Sequence, residues 1–374
     1  MNYRGYFKLY GNKSFEEFPF NDFDATMLAI MSYIKWETLL SDFDNDFINF
    51  KTLINKDIDK LSKETLDPPH HAKITKLIVN SPRYQEIKAK FLVNIVDFEK
   101  KFTFCAITFE IPGANDLVCY RGTDITVLAW EENFSQSLNI VTPSQKESLE
   151  YLEKVAPRIS DKFYVCGHSK GGNLAIYSST KVATDIQDRI IKVISLDGTG
   201  FYDDSFFKQD SYLRLEDRVM QIIPQSSYVG IIFYCPKNYK VVSSRYLSVL
   251  QHLPYSWRLK KDGSFKFIKH RTYTAVVRQR SLRLLVDKAD RETKALAVDA
   301  IVTAMGGEDK DISFYLKHPR SIGKTIKNWN KKYSKEERKR IRKFAGLFFK
   351  SYVGSFFYLL SKKNRAEFKK EYYK

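Results

Sequence analysis

The chain has 374 residues, of which 43% are hydrophobic and 28% charged, so it can bury a large core. This composition excludes a disordered or fibrous protein, and the aromatic fraction of 15% is high for an ordinary domain. The net charge of +18 is uneven, because residues 313–374 hold 19 Lys and Arg against four Glu. The basic charge therefore belongs to the C-terminal part of the chain.

The N-terminal segment lacks the apolar stretch and small-residue cleavage site of a secretory signal. We therefore predict a cytoplasmic protein, with association at the membrane periphery left open. The four cysteines show no C-x-x-C spacing, so neither a disulfide framework nor a zinc site is indicated, and no metal or cofactor is expected.

The first part of the chain is expected to be largely helical. Apolar residues at helical spacing predict a packing helix between Phe20 and Leu40, opened by Asn21 or Asp22. Residues 41–100 also follow the helix period and are expected to form helical cover. From Phe102 to Tyr120 the pattern changes to alternation around a Pro-Gly turn, which predicts a hairpin of two strands.

The middle of the chain alternates predicted strands with predicted helices. An apolar run at 163–167 enters a helix of small residues, and strand-like runs recur at 192–196, 219–223 and 239–243. This order favours an α/β fold with a mostly parallel central sheet flanked by helices. After Arg271 the pattern is helical, over 281–305, 321–343 and 344–360. We predict one domain over residues 1–270 and a basic helical extension over 271–374.

The strongest local motif is Gly167-His168-Ser169-Lys170-Gly171, between a predicted strand and a predicted helix. A G-x-S-x-G sequence in this position predicts a nucleophile elbow, which presents Ser169 at the helix N-terminus near backbone N–H groups. Gly167 and Gly171 leave room for the sharp turn, because a side chain there would collide with neighbouring backbone. A serine in some other glycine-rich turn is the alternative.

Chain order narrows the partners of Ser169, because the acid and the histidine follow the serine in such folds. His70 and His71 come too early, and the side chain of His168 is expected to point away. Of His252, His270 and His318, we favour His252, which lies in a loop-like stretch after the predicted strand 239–243. Asp197 is the preferred acid, because it ends a predicted strand beside the elbow. The competing carboxylates are Asp203, Asp204 and Asp217.

Two ordered motifs resemble the class-three, fungal-type lipases and a group of uncharacterised bacterial lipase-like proteins. They are Tyr120-Arg121-Gly122-Thr123 with Trp130 downstream, and the elbow itself. The segments after Pro19, Asp197 and Gln251 are similar to the bacterial group. The resemblance implies an α/β-hydrolase fold, an oxyanion hole formed by Thr123 and Lys170, and a lid over residues 125–138.

The resemblance implies a serine hydrolase of carboxylic esters, with lipid or long-chain acyl esters as substrates. One position departs from it: Ser227 stands where class-three lipases place the acid. Either Asp197 supplies the acid, or the triad is incomplete and the protein is a weak or inert hydrolase-fold protein that acts at a membrane or as an interaction partner.

The basic extension contains the apolar stretch Phe344–Leu360, which is about 25 Å long as a helix and too short to span a bilayer. Flanked by basic residues, it fits a helix lying on an anionic membrane surface. The alternative is a helix packed on the domain with a solvated basic face. Nucleic-acid binding is the least favoured interpretation, because no nucleic-acid module surrounds the basic residues.

Overall fold

The structure is a computed structural model that describes residues 1–100, 102–122, 141–304, 332–364 and 366–367. The described residues form one sheet whose nine strands lie side by side in chain order. The strands are β1 (Phe47–Asn49), β2 (Lys88–Asp97), β3 (Phe102–Glu110), β4 (Leu117–Tyr120), β5 (Phe163–His168), β6 (Ile190–Leu196), β7 (Val219–Pro224), β8 (Lys240–Val242) and β9 (Phe267–Ile268).

Helices precede, connect and follow these strands in the described ranges. They are α1 (Tyr3–Tyr10), α2 (Asp22–Met31), α3 (Ile58–Leu61), α4 (Pro68–Val79), α5 (Pro82–Gln85), α6 (Pro143–Val155), α7 (Lys170–Lys181), α8 (Thr184–Arg189), α9 (Asp210–Leu213), α10 (Tyr273–Lys288), α11 (Arg291–Ala304) and α12 (Lys335–Leu360). None of the described helices is both long and apolar enough to cross a bilayer.

The five strands β4 to β8 are parallel, and the remaining strands pair antiparallel at the two edges. The predicted α/β class with a parallel central sheet is therefore confirmed. Crossovers between parallel strands are right-handed, and here each one leads to the next strand in the same direction across the sheet. The connecting helices therefore lie on one face of the sheet. The other face needs separate cover.

Side chains of the central strands alternate between two cores. Val118, Val165 and Val193 pack with helices α6 and α7 on one face of the sheet. Cys119 and Cys166 point to the opposite face and pack with the N-terminal helices. The two sets are offset by one residue, as the two-residue period of a strand requires. The N-terminal segment thus covers the face that the crossovers leave bare.

Two sequence predictions are corrected by the observed elements. The segment 41–100 is not helical throughout, because β2 pairs along β3 over most of its length. A bulge between Lys90 and Val93, where Phe91 has a φ of 57°, breaks the alternation that would have shown a strand. The predicted break between Lys343 and Phe344 is also absent, since α12 runs through it without a capping residue or proline.

A buried ion pair fixes the N-terminal cover. Both side chains of Asp24 and Arg83 are fully buried, with Arg83 Nη2 2.6 Å from Asp24 Oδ2. The hydroxyls of Tyr6 and Tyr84 donate to Asp24 Oδ1, at 2.9 and 2.6 Å. Burial and the Asp24 carboxylate raise the pKa of both tyrosines, so they remain donors. One carboxylate therefore joins α1, α2 and α5.

The C-terminal helices form small apolar clusters of their own. Val277 of α10 packs with Leu359 of α12, and Ala300 of α11 packs with Tyr333 and Ile341. The predicted helix over 281–305 begins earlier, at Tyr273, and is interrupted at Ala289, where the backbone is extended. The division of the chain at residue 270 stays a prediction.

Candidate active site

Ser169 occupies the turn between β5 and α7 with a strained backbone, at φ 58° and ψ −129°. Such a conformation is rare for a residue with a side chain and is typical of a functional turn. A Cβ at Gly167 would collide with the carbonyl of Gly171, and a Cβ at Gly171 with that of Tyr120. The two glycines are therefore required by the close approach of backbone segments, as the sequence predicts.

Asp197 lies beside Ser169 at the carboxyl edge of the sheet. Strands β5 and β6 pair His168 with Leu196, so Ser169 and Asp197, which directly follow these strands, lie side by side. The N–H of Ser169 donates to Leu196 O at 2.9 Å. Asp197 is fully buried and has a φ of 48°, so the chain leaves β6 through a second strained turn.

His252 is directed at Asp197 from a loop 55 residues further along the chain. Its Nδ1 lies 2.7 Å from Asp197 Oδ2, and the ring is mostly buried. Because a carboxylate oxygen accepts, Nδ1 carries the proton, and Nε2 is left with a lone pair that can take one. The structure thus brings His252 and Asp197 together at the edge where Ser169 stands.

Ser227 and Gly230 hold the other oxygen of Asp197. Ser227 Oγ donates to Oδ1 at 2.6 Å, and the N–H of Gly230 donates to the same oxygen at 3.1 Å. A Cβ at Gly230 would collide with Oδ1, so the position requires glycine. Ser227, which stands where class-three lipases place the acid, therefore contacts the Asp197 carboxylate and orients it through its hydroxyl.

Three side chains anchor the loop that carries His252. His168 Nε2 donates to the carbonyl oxygen of His252 at 2.9 Å, and the two imidazole rings lie 4.4 Å apart between centroids. The indole of Trp257 donates to Gln251 O at 2.8 Å, and Gln251 Oε1 accepts from the N–H of Ser226. Although its side chain is predicted to point away, His168 contacts His252 and supports the loop that carries it.

Tyr33 completes a chain of hydrogen bonds on the same side. Its hydroxyl lies 2.8 Å from His168 Nδ1 and accepts from the N–H of Gly122 at 3.1 Å. Burial, and next the neighbouring His252, lower the pKa of His168 well below its usual range. His168 is therefore neutral, with Nδ1 as an acceptor for Tyr33. A Cβ at Gly122 would lie 2.9 Å from the Cβ of Ser169. The series of hydrogen bonds from His168 through Tyr33 to Gly122 therefore ends beside the turn that holds Ser169.

Replacing Tyr33 with phenylalanine is expected to destabilise the protein by about 1–3 kcal/mol, because His168 Nδ1 and the N–H of Gly122 each lose a partner. Urea unfolding measures the effect. Tyr212→Phe is the matched control, since that buried hydroxyl has no hydrogen-bond partner among the described residues. Equal midpoints for Tyr33→Phe and wild type would contradict the role assigned to Tyr33.

Lys170, the predicted oxyanion donor after the serine, opens α7 and is almost fully buried. Its ammonium group donates to Thr103 O at 2.6 Å, which fixes the start of the helix against β3. Several predictions fall outside the described residues, namely Thr123, Trp130, the lid over 125–138, His318 and the first part of the helix over 321–343. Among the described residues, no group of three or more His, Cys, Asp or Glu is placed to hold a metal ion.

The carboxylates and histidines that the sequence leaves as alternatives to Asp197 and His252 lie in other surroundings. Asp204 pairs with Lys208 at 2.8 Å, and Asp203 accepts from the N–H of Ser205 at 2.8 Å. His71 is bonded to Ile30 O at 2.9 Å, and His70 stacks on the ring of Tyr255. Asp217 and His270 are exposed.

An aromatic cavity of about 190 Å³ is lined in part by Gly200, which follows Asp197 by three residues in the chain. The rings of Phe201 and Phe206 stack at 3.6 Å on its wall, with Tyr177 alongside. Asn173, one turn along α7 from Ser169, donates to the carbonyl oxygen of Gly200, which lines the cavity. Helix α7, which follows Ser169, is thus bonded to the cavity wall.

Two comparisons with known proteins find similarity to this chain. The family model named Mbeg1-like matches residues 78–303, more than half of the chain. Among solved structures, the chain is similar to the crystal structure of M37 lipase, with 18% identity and a TM-score of 0.32, over 59% of this chain and 70% of that one. No curated protein matches the chain. The family match includes the site and ends before α12.

Proposed function

Because the chain belongs to the Mbeg1-like family, a lipase-like family, we propose that it is a serine hydrolase of carboxylic esters. The observation that carries this proposal is the bond between His252 Nδ1 and Asp197 Oδ2, at the sheet edge where Ser169 stands in a strained turn. A nucleophile, a base and a group that orients the base are the parts that acyl transfer requires.

In the proposed reaction, Ser169 Oγ attacks the ester carbonyl carbon while His252 Nε2 takes the hydroxyl proton. Asp197 stabilises the imidazolium and stays ionised. The N–H groups of Lys170 and Thr123 stabilise the oxyanion of the tetrahedral intermediate. The intermediate then collapses, the C–O bond to the alcohol breaks, and His252 returns the proton to the leaving oxygen. Water attacks the acyl-enzyme by the same route and releases the carboxylic acid.

We propose a lipid or another long-chain acyl ester as the substrate. The aromatic cavity beside Gly200 supports this choice, because stacked rings at its wall favour an apolar chain over a charged one. Its lining also includes Lys181 and Asp203, which can contact polar atoms at the rim. A long acyl chain would therefore be preferred over an acetyl group.

The test is labelling of the full chain by a fluorophosphonate probe, with turnover of short- and long-chain p-nitrophenyl esters. Wild type is expected to be labelled, and Ser169→Ala is expected to lose both labelling and turnover. Ser195→Ala is the matched control, because Ser195 is buried nearby on β6 and its hydroxyl has no partner among the described residues. A folded wild type that neither labels nor turns over any ester would favour the inert hydrolase-fold alternative.

A further inference from the structure

Helix α12 buries one side and exposes aromatic rings on the other. Ile341, Ser351, Ser355 and Leu359 are buried among the C-terminal helices. Phe349 and Phe357 are 70% and 63% exposed, and Phe356 and Leu360 are also exposed. These positions follow the spacing i, i+7, i+8 and i+11, which places them along one face of the helix. The helix thus packs on the protein and presents an apolar face as well.

Further exposed apolar residues lie on the loop that carries His252. Leu247 is 80% exposed and Leu250 is 55% exposed, just before the histidine. The hydroxyl of Tyr228, one residue after Ser227, lies 3.2 Å from Ser248 Oγ of this loop. Exposed apolar residues that lie together on a protein are typical of surfaces that bind a partner or a membrane.

Hydrogen bonds connect α12 to the same end of the sheet. The hydroxyl of Tyr273 donates to Phe356 O at 2.7 Å. The preceding residue, Thr272, donates its N–H to Gln225 O at 2.8 Å, and its hydroxyl lies 2.7 Å from Ser226 Oγ. Ser226 precedes the serine that contacts Asp197. Helix α12 is therefore connected, through the start of α10, to the loop whose Ser227 contacts Asp197.

The charge around this face is basic. Lys339, Lys343 and Lys350 are exposed on α12, and Lys362 and Lys363 follow its end. Aromatic rings with flanking lysines are what a helix needs at a bilayer surface, where the rings enter the acyl boundary and the lysines meet anionic headgroups. At 26 residues α12 is about 39 Å long, but its first turns are highly charged, so it would lie along the surface.

We propose that Phe349, Phe356, Phe357 and Leu360 of α12, with Leu247 and Leu250, form a lipid-binding surface that docks the protein on an anionic leaflet. Docking there sets the base-bearing loop against the lipid. This inference rests on the proposed function in one respect, since it identifies where the protein would reach a lipid ester. Binding to the leaflet itself requires no reaction at Ser169.

The test is flotation of the full chain with vesicles of phosphatidylcholine alone and of phosphatidylcholine and phosphatidylglycerol in equal parts. Wild type is expected to bind the anionic vesicles and to release them as salt is raised. Phe349→Ser/Phe357→Ser is expected to weaken binding by at least about tenfold, because two rings no longer leave water. Lys362→Gln/Lys363→Gln should weaken it by about fivefold for each charge removed.

Phe47→Ser/Phe98→Ser is the matched control, since both rings are 58% exposed, and they lie on β1 and in the turn after β2, at the opposite edge of the sheet from β9. This control should bind vesicles as wild type does. Ser169→Ala, which lacks the proposed nucleophile, should also bind them as wild type does. The proposal is overturned if wild type does not float, if Phe349→Ser/Phe357→Ser binds undiminished, or if these phenylalanines prove instead to join two copies of the chain in sedimentation. None of these results depends on whether the protein labels with fluorophosphonate, so the two proposals can fail separately.

Discussion

Replacing Asp197 with asparagine is expected to lower kcat on ester substrates by about 10⁴-fold while the protein remains folded. The reason lies in the two oxygens of Asp197. Oδ1 accepts from Ser227 Oγ and from the N–H of Gly230, so an amide nitrogen cannot take its place. The amide N–H₂ must face His252 Nδ1, which then has to accept. The proton moves to Nε2, and the base is lost.

Steady-state kinetics on a p-nitrophenyl ester, with the unfolding midpoint of each variant, measure this effect. Asp217→Asn is the control, because it makes the same chemical change at an exposed carboxylate in the connection between β6 and β7. Ser227→Ala should cost much less, about tenfold, since Gly230 still holds Oδ1. A loss below tenfold for Asp197→Asn in a folded enzyme would mean that another group orients His252.

The local parts of the site could be predicted because each depends on a short stretch of chain. The elbow is visible in the sequence as Gly167 and Gly171 around Ser169, although the backbone that crowds Gly171 belongs to Tyr120 on a neighbouring strand. Asp197 follows an apolar strand, so its place at the sheet edge could be inferred from order alone. The α/β class and the resemblance to lipase-like proteins are both confirmed. The class is predicted from the order of strand-like and helical segments, and the resemblance from two short motifs.

The supporting contacts could not be predicted, because they join segments far apart in the chain. Tyr33 meets His168 across 135 residues, and no pattern after α2 indicates a polar role for that tyrosine. Ser227 reads as a missing acid until β6 and β7 lie side by side and its hydroxyl meets Asp197. For His168, the one available indication was its position next to the nucleophile.

The C-terminal helix shows why two opposed predictions for one segment need not exclude each other. The sequence leaves open whether the segment packs on the protein or lies on a membrane. In α12, small and aliphatic residues such as Ser355 and Leu359 are buried, while Phe349 and Phe357 are exposed on another side. Periodicity alone could not separate the faces, because the stretch is apolar almost all round. The side of α12 that is buried is the one that packs against α10, where Val277 contacts Leu359.

Replacing Arg83 with methionine is expected to destabilise the protein by about 3–5 kcal/mol, because Asp24 would remain buried without its counter-charge. Arg83 also donates from Nη1 to the carbonyl oxygens of Ser14 and Phe18, which hold the turn between α1 and α2. Loss of the guanidinium leaves these acceptors unsatisfied as well. Urea unfolding followed by circular dichroism measures the change in the free energy of unfolding.

Lys51→Met is the control, because Lys51 forms an exposed ion pair with Glu86 at 3.2 Å, and such pairs contribute about 1 kcal/mol or less. Asp24→Leu/Arg83→Met removes both buried charges and should recover part of the loss, although Tyr6 and Tyr84 then lack their acceptor. If Arg83→Met costs no more than Lys51→Met, the N-terminal cover is held by apolar packing alone. A large difference would instead show that one buried carboxylate fixes the cover over the sheet face that the crossover helices leave bare.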